Sequence, residues 1–130
     1  MSRILLVEDE DLNRTLVKAV LARADITAVR EAEVLDASTL ASARERLAGT
    51  DVDLILLDMN LPDGDGLNLA RELAANGMPG GRRKPAVVAV TASVLPQDRA
   101  AAIEAGCDAF LDKPYAAADL VAAVAQHLNA

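Results

Sequence analysis

The sequence predicts an α/β protein in which a parallel β-sheet is covered by helices. Five short apolar runs alternate along the chain with five stretches that have a helical pattern. Three of the runs have an unbroken apolar stretch of four or five residues, which is typical of strands buried on both faces. The alternation of strands and helices predicts right-handed βα units that build one sheet.

The predicted strands are short and lie at regular intervals along the chain. They cover residues 3–7, 31–36, 53–57, 86–90 and 109–112. The run at 31–36 is more polar than the others, so we expect this strand at an edge of the sheet. The link that precedes it is long, which blurs the boundaries of this strand.

The predicted helices carry apolar stripes on one side. They cover residues 11–24, 39–48, 66–76, 96–105 and 117–128. Apolar residues recur at every fourth position of the first and last helices, and Val121 lies beside the apolar stripe of the last helix. We expect these apolar faces to pack on the sheet. The two stripes are Leu12, Leu16, Val20 and Ala24, and Leu120, Val124 and Leu128. We expect Asp11 to cap the first helix and Gly106 to end the fourth.

Length and composition restrict the class of protein. A chain of 130 residues fits one domain, which we place at 1–130. The net charge of -7 and the aromatic content of 2% argue against nucleic acid as a partner, and the charge also argues against an anionic membrane. The apolar runs are too short for a membrane span. The single cysteine, Cys107, excludes an intramolecular disulfide and fits the cytoplasm.

Polar residues follow four of the predicted strands at the points where the strands end. Glu8 and Asp9 follow the first strand, and Asp58 follows the third. Thr91 and Lys113 follow the fourth and the fifth. Because ligands of an open parallel sheet bind at the carboxyl ends of its strands, we expect these side chains to converge. Each has an ordinary alternative when taken alone, namely a helix cap, a turn residue, a β-branched strand residue or a surface lysine.

The converging residues favour phosphoryl transfer to a carboxylate. Clustered carboxylates repel one another and need a hard divalent cation, and Mg²⁺ also neutralises phosphoryl oxygens. Asp58 is then the nucleophile that forms an aspartyl phosphate. Lys113 supplies a positive charge for another phosphoryl oxygen, and Thr91 supplies a hydroxyl donor.

Four segments in this order resemble the receiver domain of two-component response regulators. They are ILLVEDE near the start, DLILLDMNLPDGDGL in the middle, VVAVTAS after it and GCDAFLDKPY near the end. The resemblance covers nearly the whole chain. It implies a flavodoxin-like (βα)5 sandwich of three layers, with a five-stranded parallel sheet in the order 2-1-3-4-5. It also implies that Asp58 receives a phosphoryl group from the phosphohistidine of a histidine kinase or of a histidine phosphotransfer protein.

The resemblance implies a role for each residue that matches the family at the acidic rim. Asp58 is the phosphoacceptor. Glu8 and Asp9 match the acidic pair that holds Mg²⁺, with Asp9 as the favoured direct ligand. Asn60 matches the position whose backbone carbonyl also meets the metal. Lys113 matches the lysine that pairs with the acceptor or with the phosphoryl group.

The resemblance assigns the remaining matching residues to switching and to the lifetime of the phosphorylated state. Thr91 matches the switch hydroxyl, and Ala92 is the small residue beside it at the phosphoryl group. Phe110 lies where the family carries a switch Tyr or Phe. Asn60 and Ser93 resemble the pair that tunes dephosphorylation.

The expected readout is a shift in the population of two conformations. Thr91 moves toward the phosphoryl oxygen and Phe110 turns inward, which changes the surface formed by 96–105, 109–112 and 117–128. We expect that surface to bind a downstream protein target. Its Ala-rich helices also allow a second copy to approach and form a homodimer; equally, Ala is the strongest helix former.

One departure from the family pattern follows the second strand, and a second is the small, Ala-rich face of the last two helices. The family commonly has Asp-Gly after the second strand, where this sequence has Ser38-Thr39. The sequence ends at Ala130, directly after the fifth predicted helix. We expect either a single-domain regulator or the receiver of a hybrid histidine kinase, and the position of Met1 close to the first strand favours the former.

Three other classes are compatible with part of the pattern. A haloacid-dehalogenase-like phosphohydrolase has its nucleophile after the first strand and needs a general acid where this chain has Asn60. A pseudo-receiver, which only binds partners, does not need the complete polar set. A flavodoxin needs a phosphate-binding loop where this chain has the acidic VEDEDLN. We therefore expect a phosphorylated signalling protein and not an enzyme, although self-phosphorylation from small donors and self-dephosphorylation fit its chemistry.

Overall fold

The computed structural model describes residues 2–78, 83–92 and 95–128. Over these ranges, none of the helices combines the length and the apolar character that crossing a bilayer requires. In chain order the elements are β1 (Arg3–Val7), α1 (Asp11–Ala22), α2 (Thr27–Arg30), β2 (Glu33–Ala37), α3 (Leu40–Gly49), β3 (Leu54–Asp58), β4 (Asn60–Leu61), β5 (Gly64–Asp65), α4 (Leu67–Asn76), β6 (Ala86–Thr91), α5 (Pro96–Glu104), β7 (Ala109–Asp112) and α6 (Ala117–His127).

The central sheet has five strands in the order β2-β1-β3-β6-β7, and all neighbours are parallel. Because β6 and β7 are the fourth and fifth predicted strands, this is the predicted order 2-1-3-4-5. The more polar β2 lies at an edge, as expected. The flavodoxin-like α/β fold is thus confirmed.

The core consists of two apolar layers, one on each face of the sheet. On β1, Leu5 and Val7 pack in the layer under α3, α4 and α5. Ile4 and Leu6 of the same strand pack in the layer under α1 and α6. Since successive side chains of a strand point to opposite faces, a strand covered on both sides must be apolar throughout. This explains the continuous apolar runs of the sequence.

Two short features were not expected. The long link before β2 contains the one-turn helix α2, and β2 covers Glu33–Ala37, two residues after the predicted start. Directly after β3, the two-residue strands β4 and β5 form an antiparallel hairpin that pairs Asn60 with Asp65 and Leu61 with Gly64.

The prediction that the whole stripe of the first helix is buried was wrong. Ala24 is buried and Val20 is half-buried, but Leu16 is 54% exposed and Leu12 is 68% exposed. An α-helix turns by about 100° per residue, so residues four apart drift around the helix by about 40° at each step. The stripe therefore leaves the core toward the start of α1. The buried residues of α1 are Val17 and Leu21.

The two predicted helix ends have different outcomes. Gly106 follows the end of α5 with a φ of 96°, a left-handed conformation that favours glycine, as expected. Asp11 is not the cap of α1, because the helix begins at Asp11 itself and Glu10 precedes it. The Asp11 carboxylate instead pairs with Arg14 one turn later.

Candidate functional site

The carboxyl ends of four strands bring the predicted polar residues to one rim of the sheet. Glu8 follows β1, Asp58 ends β3, Thr91 ends β6 and Lys113 follows β7. Among the residues that the structure describes, Glu8, Asp58 and Thr91 are the buried polar or charged ones. Buried polar groups are costly unless they have partners, so their concentration at one rim points to a functional site.

Lys113 supplies the positive charge of the rim. Its Nζ lies 3.3 Å from Glu8 Oε1 and 3.5 Å from Asp58 Oδ2. Burial opposes the charged ammonium, but the attraction of Asp58 and then of Glu8 outweighs it, and the pKa of Lys113 is raised. Lys113 is therefore charged at neutral pH and links the two buried carboxylates.

Three carboxylates form a candidate cation site. Oxygen atoms of Glu8, Asp9 and Asp58 lie within 4.8 Å of one another. Glu8 and Asp58 are buried and Asp9 is exposed. One ammonium cannot neutralise three carboxylates, so the rim keeps an excess of negative charge. Carboxylate oxygens are the ligands of hard divalent cations, and the residues present therefore fit such an ion.

The segment after Asp58 wraps closely around this residue. The backbone N–H of Asn60 donates a hydrogen bond of 3.1 Å to Asp58 Oδ1. The backbone N–H of Gly66 donates to the carbonyl of Met59 at 2.9 Å. A Cβ atom on Gly66 would lie 2.1 Å from the carbonyl oxygen of Asp58, so a larger residue there would force the backbone to shift.

Thr91 and Asn60 face a common cleft beside the rim. The cleft has a volume of about 450 Å³ and is also lined by Met59, Asp65 and Asp98. The backbone N–H of the residue after β7, Lys113, donates to the carbonyl of Thr91 at 2.7 Å. Two residues predicted from the sequence, Asn60 and Thr91, thus line the same cleft.

Two of the predicted residues beyond β6 have different outcomes. Ala92 is exposed and lines a groove together with Lys113. Ser93, predicted to tune dephosphorylation, lies outside the described residues.

Phe110 lies on β7 and is half-buried. The guanidinium carbon of Arg99 is 4.8 Å from the centre of its ring, within the range of a cation–π contact. Arg99 also forms an ion pair with Oδ2 of Asp112. Among the described residues, the other oxygen of Asp112 is buried and has no hydrogen-bond partner. Arg99 was missed from the sequence because nothing in the spacing places it over Phe110.

Tyr115 is a second residue that sequence reasoning missed. It is half-buried and lines the same groove as Lys113 and Leu16. Burial raises the pKa of Tyr115, and the charges of Glu8 and Asp58 add to this, whereas Lys113 lowers it. The phenol is thus neutral at physiological pH. Its place two residues after Lys113 was the available signal.

Comparison with known proteins identifies the family. The family model of the response regulator receiver domain matches residues 4–125. The chain is 35% identical over 123 residues to the KDP operon transcriptional regulatory protein KdpE of Escherichia coli (strain K12), a match that covers 94% of this chain and 49% of KdpE. It is 38% identical over 117 residues to the two-component response regulator ORR41 of Oryza sativa subsp. japonica, which covers 88% of this chain and 84% of ORR41.

The fold also matches a solved structure. The receiver domain of the sensor histidine kinase PA1611 of Pseudomonas aeruginosa PAO1 has a magnesium ion coordinated in its active site cleft. It has a TM-score of 0.80 and 29% identity, over 99% of this chain and 98% of that chain. The chain spans about half the length of KdpE. On the family match and these relatives, the chain belongs to the response regulator receiver domain family.

Proposed function

We propose that Asp58 accepts a phosphoryl group from the phosphohistidine of a histidine kinase or of a histidine phosphotransfer protein, with Mg²⁺ bound beside it. A receiver domain is the phosphoacceptor of two-component signalling and a signalling domain more than an enzyme. One observation carries the choice of Asp58. Its buried carboxylate ends the central strand and has the Lys113 ammonium and the oxygens of Glu8 and Asp9 as neighbours.

The transfer is a substitution at phosphorus. An oxygen of the Asp58 carboxylate attacks, and the O–P bond forms as the P–N bond to the donor imidazole breaks. The electron pair of the broken bond returns to the imidazole nitrogen. The N–H of Asn60 and the ammonium of Lys113 hold the carboxylate in one orientation, which reduces the entropy lost on reaching the transition state.

The acidic rim has the donor set that a magnesium ion requires. The carboxylates of Glu8, Asp9 and Asp58 and the backbone carbonyl of Asn60 would hold the ion. When bound, Mg²⁺ supplies positive charge that offsets the repulsion among the carboxylates and the phosphoryl oxygens. Lys113 contributes a fixed charge of the same sign whether or not the metal is present.

The readout uses residues on the other side of the rim. The hydroxyl of Thr91 turns toward a phosphoryl oxygen, and the small side chain of Ala92 leaves room for the group. Phe110 then moves inward from its half-buried position. This changes the surface of α5, β7 and α6, where Leu95 and Ile103 are exposed. We propose this surface as the contact for a downstream protein target or for a second copy of the chain.

The donor protein is best accommodated on the α1 side of the rim. The groove of about 500 Å³ between α1 and α6 is lined mainly by apolar residues and includes Leu16, Lys113 and Tyr115. The exposed Leu12 and Leu16 extend its apolar surface along α1. A helical partner seated there lies beside Lys113 and hence beside Asp58. This requires a donor in the same compartment, and we keep the cytoplasm as the proposed location.

The test is a phosphorylation assay with acetyl phosphate as a small donor. We expect the intact mass to rise by one phosphoryl group in the presence of Mg²⁺ and to stay unchanged with a chelator. Asp58→Asn is expected to abolish the increase, and the matched control Asp65→Asn, an acid of the same segment, is expected to retain it. Modification of the Asp58→Asn variant, or none of the parent chain, would contradict the proposal. The decay of the modified protein measures self-dephosphorylation.

A further inference from the structure

Asp63 connects the segment after the acceptor to a neighbouring helix. It lies with Pro62 in the two-residue loop of the β4–β5 hairpin. Its carboxylate accepts the backbone N–H of Leu40 at 2.8 Å and that of Ala41 at 3.1 Å. These amides begin α3, so an acid of the hairpin caps a helix that lies more than twenty residues earlier in the chain.

The start of α3 also has a cap of its own. Thr39 Oγ1 accepts the N–H of Ser42 at 3.0 Å, and Ser42 Oγ accepts the N–H of Thr39 at 3.1 Å. This capping box leaves the first two helical amides without a local acceptor. Asp63 takes both of them. The bonds from Leu40 and Ala41, with the charge of Arg44, lower the pKa of Asp63, and the carboxylate is ionised at neutral pH.

The hairpin transmits this attachment to the acceptor. Asn60 pairs with Asp65 across the hairpin, and its N–H donates to Asp58 Oδ1. At the turn, Gly64 has a φ of 145°, and a Cβ there would lie 3.2 Å from Leu40 Cδ1. The hairpin therefore packs directly on the first residue of α3. Displacement of the turn would move Asn60 relative to Asp58.

We propose that Asp63 is a positioning residue for the metal and phosphoryl site. By binding the N-terminus of α3, it holds the backbone of Asn60 beside Asp58. Asp63 itself contacts neither the metal nor the phosphoryl group. The inference rests on the proposed function, because it takes Asn60 and Asp58 as parts of that site.

The first test compares the Mg²⁺ affinities of unphosphorylated variants. The affinities are measured by titrating each variant with Mg²⁺ and recording the NMR signals of its backbone amides. Asp63→Ala is expected to weaken binding about tenfold, at the lower end of what loss of an outer partner costs a metal site. Thr39→Ala is the matched control, because it breaks the capping box of the same helix and leaves the hairpin bonds in place. We expect Thr39→Ala to lower the urea midpoint and to leave the affinity within about twofold of the parent. Asp63→Asn keeps one acceptor oxygen and is expected to fall between the two.

Equal affinities in Asp63→Ala and the parent chain would overturn the inference, and so would equal losses in Asp63→Ala and Thr39→Ala. If the parent chain itself does not bind Mg²⁺, the proposed function fails instead. A second measurement needs no variant. Because coupling between two sites is reciprocal, Mg²⁺ should slow hydrogen exchange at the amides of Leu40 and Ala41. Exchange there that is insensitive to Mg²⁺ would also contradict the role of Asp63.

Discussion

The two sides of the rim differ in packing. On the proposed acceptor side, formed by β3 and the β4–β5 hairpin, Asp58 is buried. The backbone N–H of Asn60 donates to the Asp58 carboxylate, and that of Gly66 donates to the carbonyl of Met59. On the proposed switch side, formed by α5 and β7, Phe110 is only half-buried under an exposed Arg99, and a buried oxygen of Asp112 has no partner among the described residues. A well-packed Asp58 favours phosphoryl transfer, because its carboxylate is held in place. The looser packing around Phe110 and Asp112 favours a change of conformation on that side.

The largest expected loss of stability comes from a substitution at Gly66, on the proposed acceptor side. In Gly66→Ala the new Cβ would lie 2.1 Å from the carbonyl oxygen of Asp58, and the backbone must shift. We expect a loss of about 3 kcal/mol in the free energy of unfolding, measured by urea denaturation. The control is Gly49→Ala, since a Cβ there meets nothing within 4 Å. It should be neutral or stabilising by up to about 1 kcal/mol, because Ala restricts the unfolded chain and favours helix. Equal losses would show that the close approach at Gly66 is unimportant.

A smaller effect is expected where the acceptor side meets β7. Lys113→Met removes the ammonium that faces Glu8 and Asp58. Without metal, we expect the free energy of unfolding to fall by about 1–2 kcal/mol. Because the Lys113 side chain is 27% exposed, this loss should be smaller than the loss from breaking a fully buried pair. Added Mg²⁺ should restore part of the loss.

The pH dependence of this variant follows from the raised pKa of Lys113. A raised pKa stabilises the folded chain below the ordinary lysine value of 10.5, and the contribution is lost as the pH rises through the folded-state value. The stability difference between the parent and Lys113→Met should therefore be constant near neutral pH and shrink above 10.5. A difference that grows with pH would contradict this assignment.

The smallest effect sharpens the contrast on the switch side. Arg99→Ala removes an exposed ion pair and a cation–π contact, and we expect the free energy of unfolding to fall by about 0.5–1 kcal/mol. Arg44→Ala removes a similarly exposed ion pair with Glu72 and is the matched control. Only Arg99→Ala should change the NMR signals of the Phe110 ring. If both variants leave that ring unchanged, Arg99 does not restrain Phe110, the proposed switch residue.

Much of the site could be predicted because it depends on where strands end. Asp58 and Thr91 end the buried strands β3 and β6, and Lys113 directly follows the half-buried strand β7. Parallel strands place such residues at one edge whatever the details of the loops. Asp63 and Arg99 could not be predicted in the same way. The partner of Asp63 is the start of α3, which is distant in sequence. The partner of Arg99 is the ring of Phe110, and this contact depends on the direction of the two side chains.

By itself the sequence determined the α/β fold, the edge position of β2 and the convergence of the polar residues, because apolar periodicity and strand order are local or topological properties. Only the tertiary structure decided which side of α1 faces the core. Leu12 and Leu16 continue an apolar stripe, but the rotation of the helix carries them to the surface. The hairpin after Asp58 was decided in the same way, since two-residue strands are stable only through what they pack against, here the start of α3.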